Sequence, residues 1–326
     1  MKKITSSVYT FENLIENQIL YIDKTEYIWN LVASAPAMYF LSRPRRFGKS
    51  LTVSTLKAVF QGKKELFKGL AIYDKPYDWK QYPVIHLDMN GLDFSSVEEL
   101  ESSLCDLVTE AAASHELTLE SANAASMFRA LINQLAEQEQ VVILVDEYDR
   151  PILNNLGKPQ AQKILDKLKV FYSVIKAFES KERFVFVTGV SKFCHVSLFS
   201  DLNNLTDISM HRDYATMFGY TQEEFETYFA DRIDSACKQL NMPCEELLPE
   251  IKQWYDGYRF HAKAESVYNP VSLAQFFMND AEFNNYWFST GTPSFLVELT
   301  KKADFNFEKT LSEPVMGLAF NAFEID

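Results

Sequence analysis

The sequence predicts an α/β fold, a parallel sheet covered by helices on both faces and followed by a smaller, mostly helical C-terminal domain. Three observations carry this. The apolar runs Val141 to Val145 and Phe184 to Val187 are continuous rather than alternating, as in strands buried on both sides. Helical stretches separate these runs from one another, which is the order of a parallel sheet with crossover helices. After about residue 208 the strand signals fade and helix signals take over. The expected division is residues 1–208 for the sheet domain and 209–326 for a helical lid of winged-helix-like kind.

The elements follow in order. Asp23 is a candidate N-cap for a helix through Lys24 to Leu31, and Ala37 to Leu41 reads as a short buried strand. Leu51, Leu56, Val59 and Phe60 fall at helical spacing, with the loop Ser42 to Lys49 before them. A strand is expected at 83–88, then helices at 97–113 and 128–137. The strand at 141–145 comes next, then a long helix at 160–178 and a strand at 183–189. Thr221 and Glu224 have the spacing of a capping box. Gly257 ends a helix running from about Cys244 to Tyr255. Asn269-Pro270 and Thr292-Pro293 each place an N-cap ahead of a first-turn proline.

Of 326 residues, 47% are hydrophobic and 24% charged, which is globular composition with material for a large core. The N-terminus lacks the continuous apolar segment of a signal peptide, and no stretch approaches the roughly 20 residues of a membrane span. A soluble cytoplasmic chain is the expectation. Cys105, Cys194, Cys237 and Cys244 form no CxxC pair, so reduced thiols are expected rather than a disulfide framework or zinc site. Cys194-His195 is a weak candidate dyad, since sequence neighbours usually point apart. A net charge of −13 argues against a broad nucleic-acid surface and leaves a local basic patch open.

The chemistry concentrates in Arg43-Pro44-Arg45-Arg46-Phe47-Gly48-Lys49-Ser50, which ends with the GK[ST] half of a Walker A loop. Backbone amides from Arg45, Arg46, Phe47, Gly48, Lys49, Ser50 and Leu51 would form an anion nest at a helix N-terminus. Lys49 would add a charge at the β- and γ-phosphates, and the Ser50 hydroxyl would ligate Mg²⁺. Arg43 stands where the full pattern has glycine, so the entry to the loop is expected to be shaped differently. A chance GK[ST] tripeptide on a basic turn is expected about 0.1 times in such a chain. The strand before it and helix after it favour the phosphate reading.

Val141 to Val145 followed by Asp146-Glu147 is the second half of such a site. The carboxyl end of a buried parallel strand is where an α/β sheet presents ligand groups. Asp146 would hold Mg²⁺, and Glu147 would orient or deprotonate the attacking water. Thr188 would sit near the γ-phosphate if its strand lies between the other two; a threonine satisfied in the core is the alternative. Cations for the transition state are sought among Arg45, Arg46, Arg212 and Arg259. Asp149 has no assigned role.

Tyr21-Ile22-Asp23-Lys24-Thr25, the loop from Arg43 to Ser50, and Leu144-Val145-Asp146-Glu147-Tyr148-Asp149 form an ordered motif series with Thr188-Gly189-Val190-Ser191, Trp254 to Phe260 and Tyr268-Asn269-Pro270. This series resembles the bacterial AAA-ATPase-like family. The resemblance implies a P-loop NTPase sheet of the additional-strand class, with an extra strand between the two motif strands. It also implies arginine at position 43 and ATP with Mg²⁺ as cofactors. Family members typically continue into a PD-(D/E)xK nuclease-like domain, and no such pattern is visible here, which points to a shortened chain or a member lacking that part.

Three readings stay open on sequence. The first is an Mg²⁺-dependent ATPase coupling nucleotide state to a protein partner or nuclease-like module. The second is a nucleotide-binding switch with little turnover, and the third is a small-molecule kinase.

Overall fold

The computed structural model describes residues 1–33, 37–192 and 204–287. Two short helices, α1 (Phe11–Glu16) and α2 (Thr25–Val32), precede strand β1 (Ala37–Ser42). Helix α3 (Lys49–Phe60) follows the basic loop, and β2 (Val84–Asp88), α4 (Val97–Ala113), α5 (Ala124–Leu135) and β3 (Val141–Asp146) come next. A single turn α6 (Arg150–Leu153), the long α7 (Ala161–Ala177), β4 (Glu182–Gly189) and the two-residue β5 (Thr206–Asp207) complete the sheet region. Helices α8 (Gln222–Leu240), α9 (Cys244–Tyr255) and α10 (Pro270–Met278) make up the C-terminal part.

The five strands lie in the order β2-β3-β4-β1-β5, and every pairing is parallel. The extra strand is therefore β4, inserted between β1 and β3. Period-two geometry sends alternate residues to opposite faces. Val141, Ile143 and Val145 of β3 join a core with α4, α5 and α7, while Val142 and Leu144 join Phe184 and Phe186 of β4 in a core with α2 and α3. Both faces are apolar, which is why these strands read as uninterrupted hydrophobic runs. A third cluster, built around Phe225, Phe229, Ile251, Tyr255 and Phe276, belongs to α8, α9 and α10.

Local signals explain most boundaries. The Ser96, Asn123, Thr221 and Asn269 side chains each accept a first-turn amide, and Thr221 with Glu224 closes the reciprocal capping box. At α2 the N-cap is Lys24 rather than Asp23. Asp23 instead accepts from the Thr25 amide and hydroxyl and, through its other oxygen, from the Ala71 amide. Its carboxylate thus ties the helix start to a distant loop.

A further expectation is overturned: Cys237 and Cys244 form a disulfide instead of remaining thiols. Asn241 takes a left-handed conformation at the end of α8, and the tight turn into α9 brings the two Cα atoms to 5.5 Å. The Cys194-His195 pair and the Thr292-Pro293 helix start lie outside the described residues. No helix among the described residues is long and apolar enough to cross a membrane.

Glu182 opens β4 with both carboxylate oxygens buried and without a partner among the described residues. Burial, assisted by Glu179, pushes its pKa up to about 8. The folded state therefore holds a proton that the unfolded chain releases above about pH 4.3. Stability contributed by this protonated form is complete below the unfolded value and is lost as pH rises towards 8. Denaturant titrations between pH 5 and 9 are expected to show this decline, and Glu182→Gln to flatten it, with a gain on the order of a few kcal/mol at the alkaline end.

Candidate functional site

The parallel register brings four strand ends to one level. Ser42 lies beside Gly189, and Asp88 lies beside Asp146. The chain leaves β1 through Arg43, whose amide donates to the Gly189 carbonyl at 3.1 Å. The loop then turns through two left-handed residues, Arg46 at φ 70° and Gly48 at φ 90°, before α3 begins at Lys49. Such alternation curls successive amides inward. A positive φ is ordinary for Gly48 and strained for Arg46, the kind of strain that accumulates where backbone must face a ligand.

Lys49 is 5% exposed. Its Nζ donates to the Arg43 and Pro44 carbonyls at 3.1 and 3.2 Å, so the ammonium folds back across its own loop. Burial lowers its pKa, opposed by the charges of Glu147, Asp146 and Asp149. Burial raises the Asp146 pKa to about 6, while the nearby Ser50 side chain and the Lys49 charge pull it back. Residues about a hundred positions apart in sequence thus meet as an ammonium, a hydroxyl and acids.

Glu147 follows with φ 51°, a strained backbone for a side chain of its size. Its carboxylate accepts from Arg150 Nη1 at 2.7 Å, and the same nitrogen donates to Asn90 beyond the end of β2. Asp149 is 1% exposed and accepts from the Val190 and Ser191 amides at 3.0 and 2.6 Å. Those bonds lower its pKa, yet burial dominates and lifts it to about 6. Asp149 therefore locks the acidic turn to the end of β4. Thr188 is fully buried, and its hydroxyl has no partner among the described residues.

A cavity of about 520 Å³ opens over this arrangement. Arg45 to Thr52 form one side, Asn90, Glu147 and Arg150 another, and Lys24, Gly219, Tyr220 and Pro270 also line the wall. Of the arginines considered from sequence, Arg45 and Arg46 line the cavity, whereas Arg212 and Arg259 are exposed and outside its wall. Thr188 and Asp146 do not contribute to the wall either. Sequence reasoning missed Arg150 and Asn90. The only signal for Arg150 was its place one turn after the acidic pair, which matters once the chain is known to form a helical turn there.

Such a strand order, with a Gly-Lys-Ser turn after β1 and an Asp-Glu turn after β3, defines the P-loop NTPase class of fold. A family model described as predicted AAA-ATPase matches residues 6–199, and the chain belongs to that AAA-ATPase-like family. It is also 38% identical over 332 residues to the "Uncharacterized protein in vnfD 5'region" of Azotobacter chroococcum mcd 1. That match covers 99% of this chain and 61% of the relative, so the chain spans about three fifths of the relative's length.

Gly189 has no room for a side chain. A Cβ there would stand 2.5 Å from both Asp149 Oδ1 and a Tyr148 ring carbon. Gly189→Ala is expected to pry the acidic turn from β4, costing about 1–3 kcal/mol of stability in denaturant titration.

Proposed function

We propose that the chain binds ATP with Mg²⁺ and hydrolyses it, using the loop at Arg43–Ser50 for the phosphates and the acidic turn after β3 for the metal and water. The observation that carries this reading is the convergence of the buried Lys49 ammonium and the Ser50 side chain on the Asp146 and Glu147 carboxylates. A hydroxyl and a carboxylate are hard oxygen donors suited to Mg²⁺, which leaves its remaining positions to water and phosphate. The bound ion would neutralise charge on the phosphates.

The chain's own residues take the other roles. Amides from Arg45 to Leu51 receive phosphate oxygens at the start of α3, where the helix dipole favours anions. Lys49 exchanges its loop carbonyls for phosphate. Glu147 positions or deprotonates the water, and Thr188, at the end of the intervening strand, stays close to that reaction centre. Arg45 and Arg46 supply positive charge from the cavity wall, while Arg259 reaches the phosphates only if its segment moves. Residues from 209 onward act as a helical lid that passes the nucleotide state to a protein partner or a nuclease-like module.

The ion pair between Glu147 and Arg150 favours a second reading, a nucleotide switch with slow turnover. In the resting chain the carboxylate is engaged, and it must leave Arg150 to act on water.

Calorimetry with ATP, with and without Mg²⁺, together with phosphate release, tests both readings. Lys49→Ala is expected to abolish ATP binding. Glu147→Gln is expected to bind normally while turnover falls by about 10²–10⁴-fold. Binding with no turnover in any variant selects the switch, and absence of ATP binding in the wild type overturns both. Arg150→Gln is expected to raise unstimulated turnover several-fold if its ion pair restrains Glu147, and unchanged or lower phosphate release counts against that restraint.

A further inference from the structure

The loop from Arg43 to Ser50 has contacts that phosphate binding does not require. The Phe47 side chain is buried, 2% exposed, and packs edge-on against Tyr258 at 4.7 Å and Phe260 at 5.6 Å between ring centres. Arg43 is also 2% exposed, and its guanidinium lies 4.0 Å over the Phe260 ring. Its Nη1 donates to the Ser209 carbonyl and its Nη2 to the Tyr214 carbonyl at 3.2 Å. The Trp287 indole donates to the Arg45 carbonyl at 3.4 Å. Apart from a 2.9 Å bond from Arg43 Nη1 to the Ser42 carbonyl at the end of β1, these side-chain partners come from residues 209–287.

This arrangement explains how the loop manages without its first glycine. In the usual pattern that glycine lets the backbone make a tight entry by itself. Here the side chain at the same position leaves the loop and is gripped from outside. The strained φ of 70° at Arg46 sits between the two anchors, Arg43 and Phe47. Such strain persists only where surrounding contacts over-determine it. The segment carrying Tyr258 and Phe260 is in turn fixed by the Val267 amide donating to the Tyr258 carbonyl at 2.8 Å, close to the start of α10.

We propose that the phosphate loop is held in its anion-binding shape by the C-terminal part of the chain, with Phe47 seated against Tyr258 and Phe260 and Arg43 against Phe260 as positioning residues. This inference rests on the nucleotide reading above and adds a direction to it. Docking of the 258–260 segment sets phosphate affinity, and nucleotide phosphates in turn favour the docked segment, because coupling between two binding events is reciprocal. Part of the lid's influence therefore enters through the loop itself, without a residue that touches the nucleotide.

The test is calorimetry on the full chain with ATP and with adenosine, the second lacking phosphates. Phe47→Ala and Phe260→Leu are expected to lose about tenfold or more of ATP affinity, the scale of one or two lost ring contacts, with adenosine affinity unchanged within about twofold. Tyr258→Phe keeps its ring and is expected to bind ATP as the wild type does. Arg43→Gly, which restores the usual loop glycine, is expected to weaken ATP binding rather than strengthen it. Equal ATP affinity in Phe47→Ala and wild type overturns the inference alone. So does a parallel loss for ATP and adenosine with a lowered melting temperature, which reports damage to the fold. Failure of the wild type to bind ATP overturns the nucleotide reading and this inference together.

Discussion

Two cations buried on opposite sides of one loop set the terms for the rest of the molecule. Lys49 and Arg43 are each almost fully removed from solvent, and an isolated charge in such a place is expensive. Lys49 is compensated by two loop carbonyls and by the field of three acids at the end of β3. Arg43 is compensated by the Ser42 carbonyl at the end of β1, by carbonyls and a ring from residues beyond the sheet, and by Asp207 as its charged neighbour. Satisfying both forces the sheet, the acidic turn and the C-terminal part to converge on residues 43–50.

The acids are divided by their bonding. Asp149 spends its oxygens on backbone amides and holds two strand ends together, and Asp146 faces the Ser50 hydroxyl. Glu147 alone is held by a side chain able to swing away, Arg150. A carboxylate fixed by amides is a structural strut, whereas one fixed by a flexible arginine can be redirected, and this is what gives three neighbouring acids different capacities.

Much of the fold was legible because it follows from short-range periodicity. The continuous runs at 141–145 and 184–187 could only be strands with two covered faces, and helix 97–113 appears with the limits its pattern gave. That Lys49 and Ser50 meet Asp146 and Glu147 was also legible, since strand ends and helix starts place side chains predictably. Contacts made at long range were not. Nothing near Arg43 in sequence announces Ser209 or Phe260, and nothing near Glu147 announces Asn90. The Cys237–Cys244 disulfide was hidden because spacing alone does not reveal that a left-handed residue folds α8 back onto α9. The family resemblance supplied the order of β1, β4 and β3, which local patterns leave undetermined.

That strand order also fixes a sequence of events during synthesis. The partners of β1 are β4 and β5, both more than a hundred residues downstream, whereas β2 and β3 pair with each other much earlier. A nascent chain carries the apolar strand Ala37 to Ser42 with both edges bare until residues 182–189 have left the ribosome. Closing so long a loop is slow, and an unpaired apolar strand is a template for association with other chains. Until β4 arrives, the phosphate loop has no fixed root, and β1 stays open to pairing with other chains.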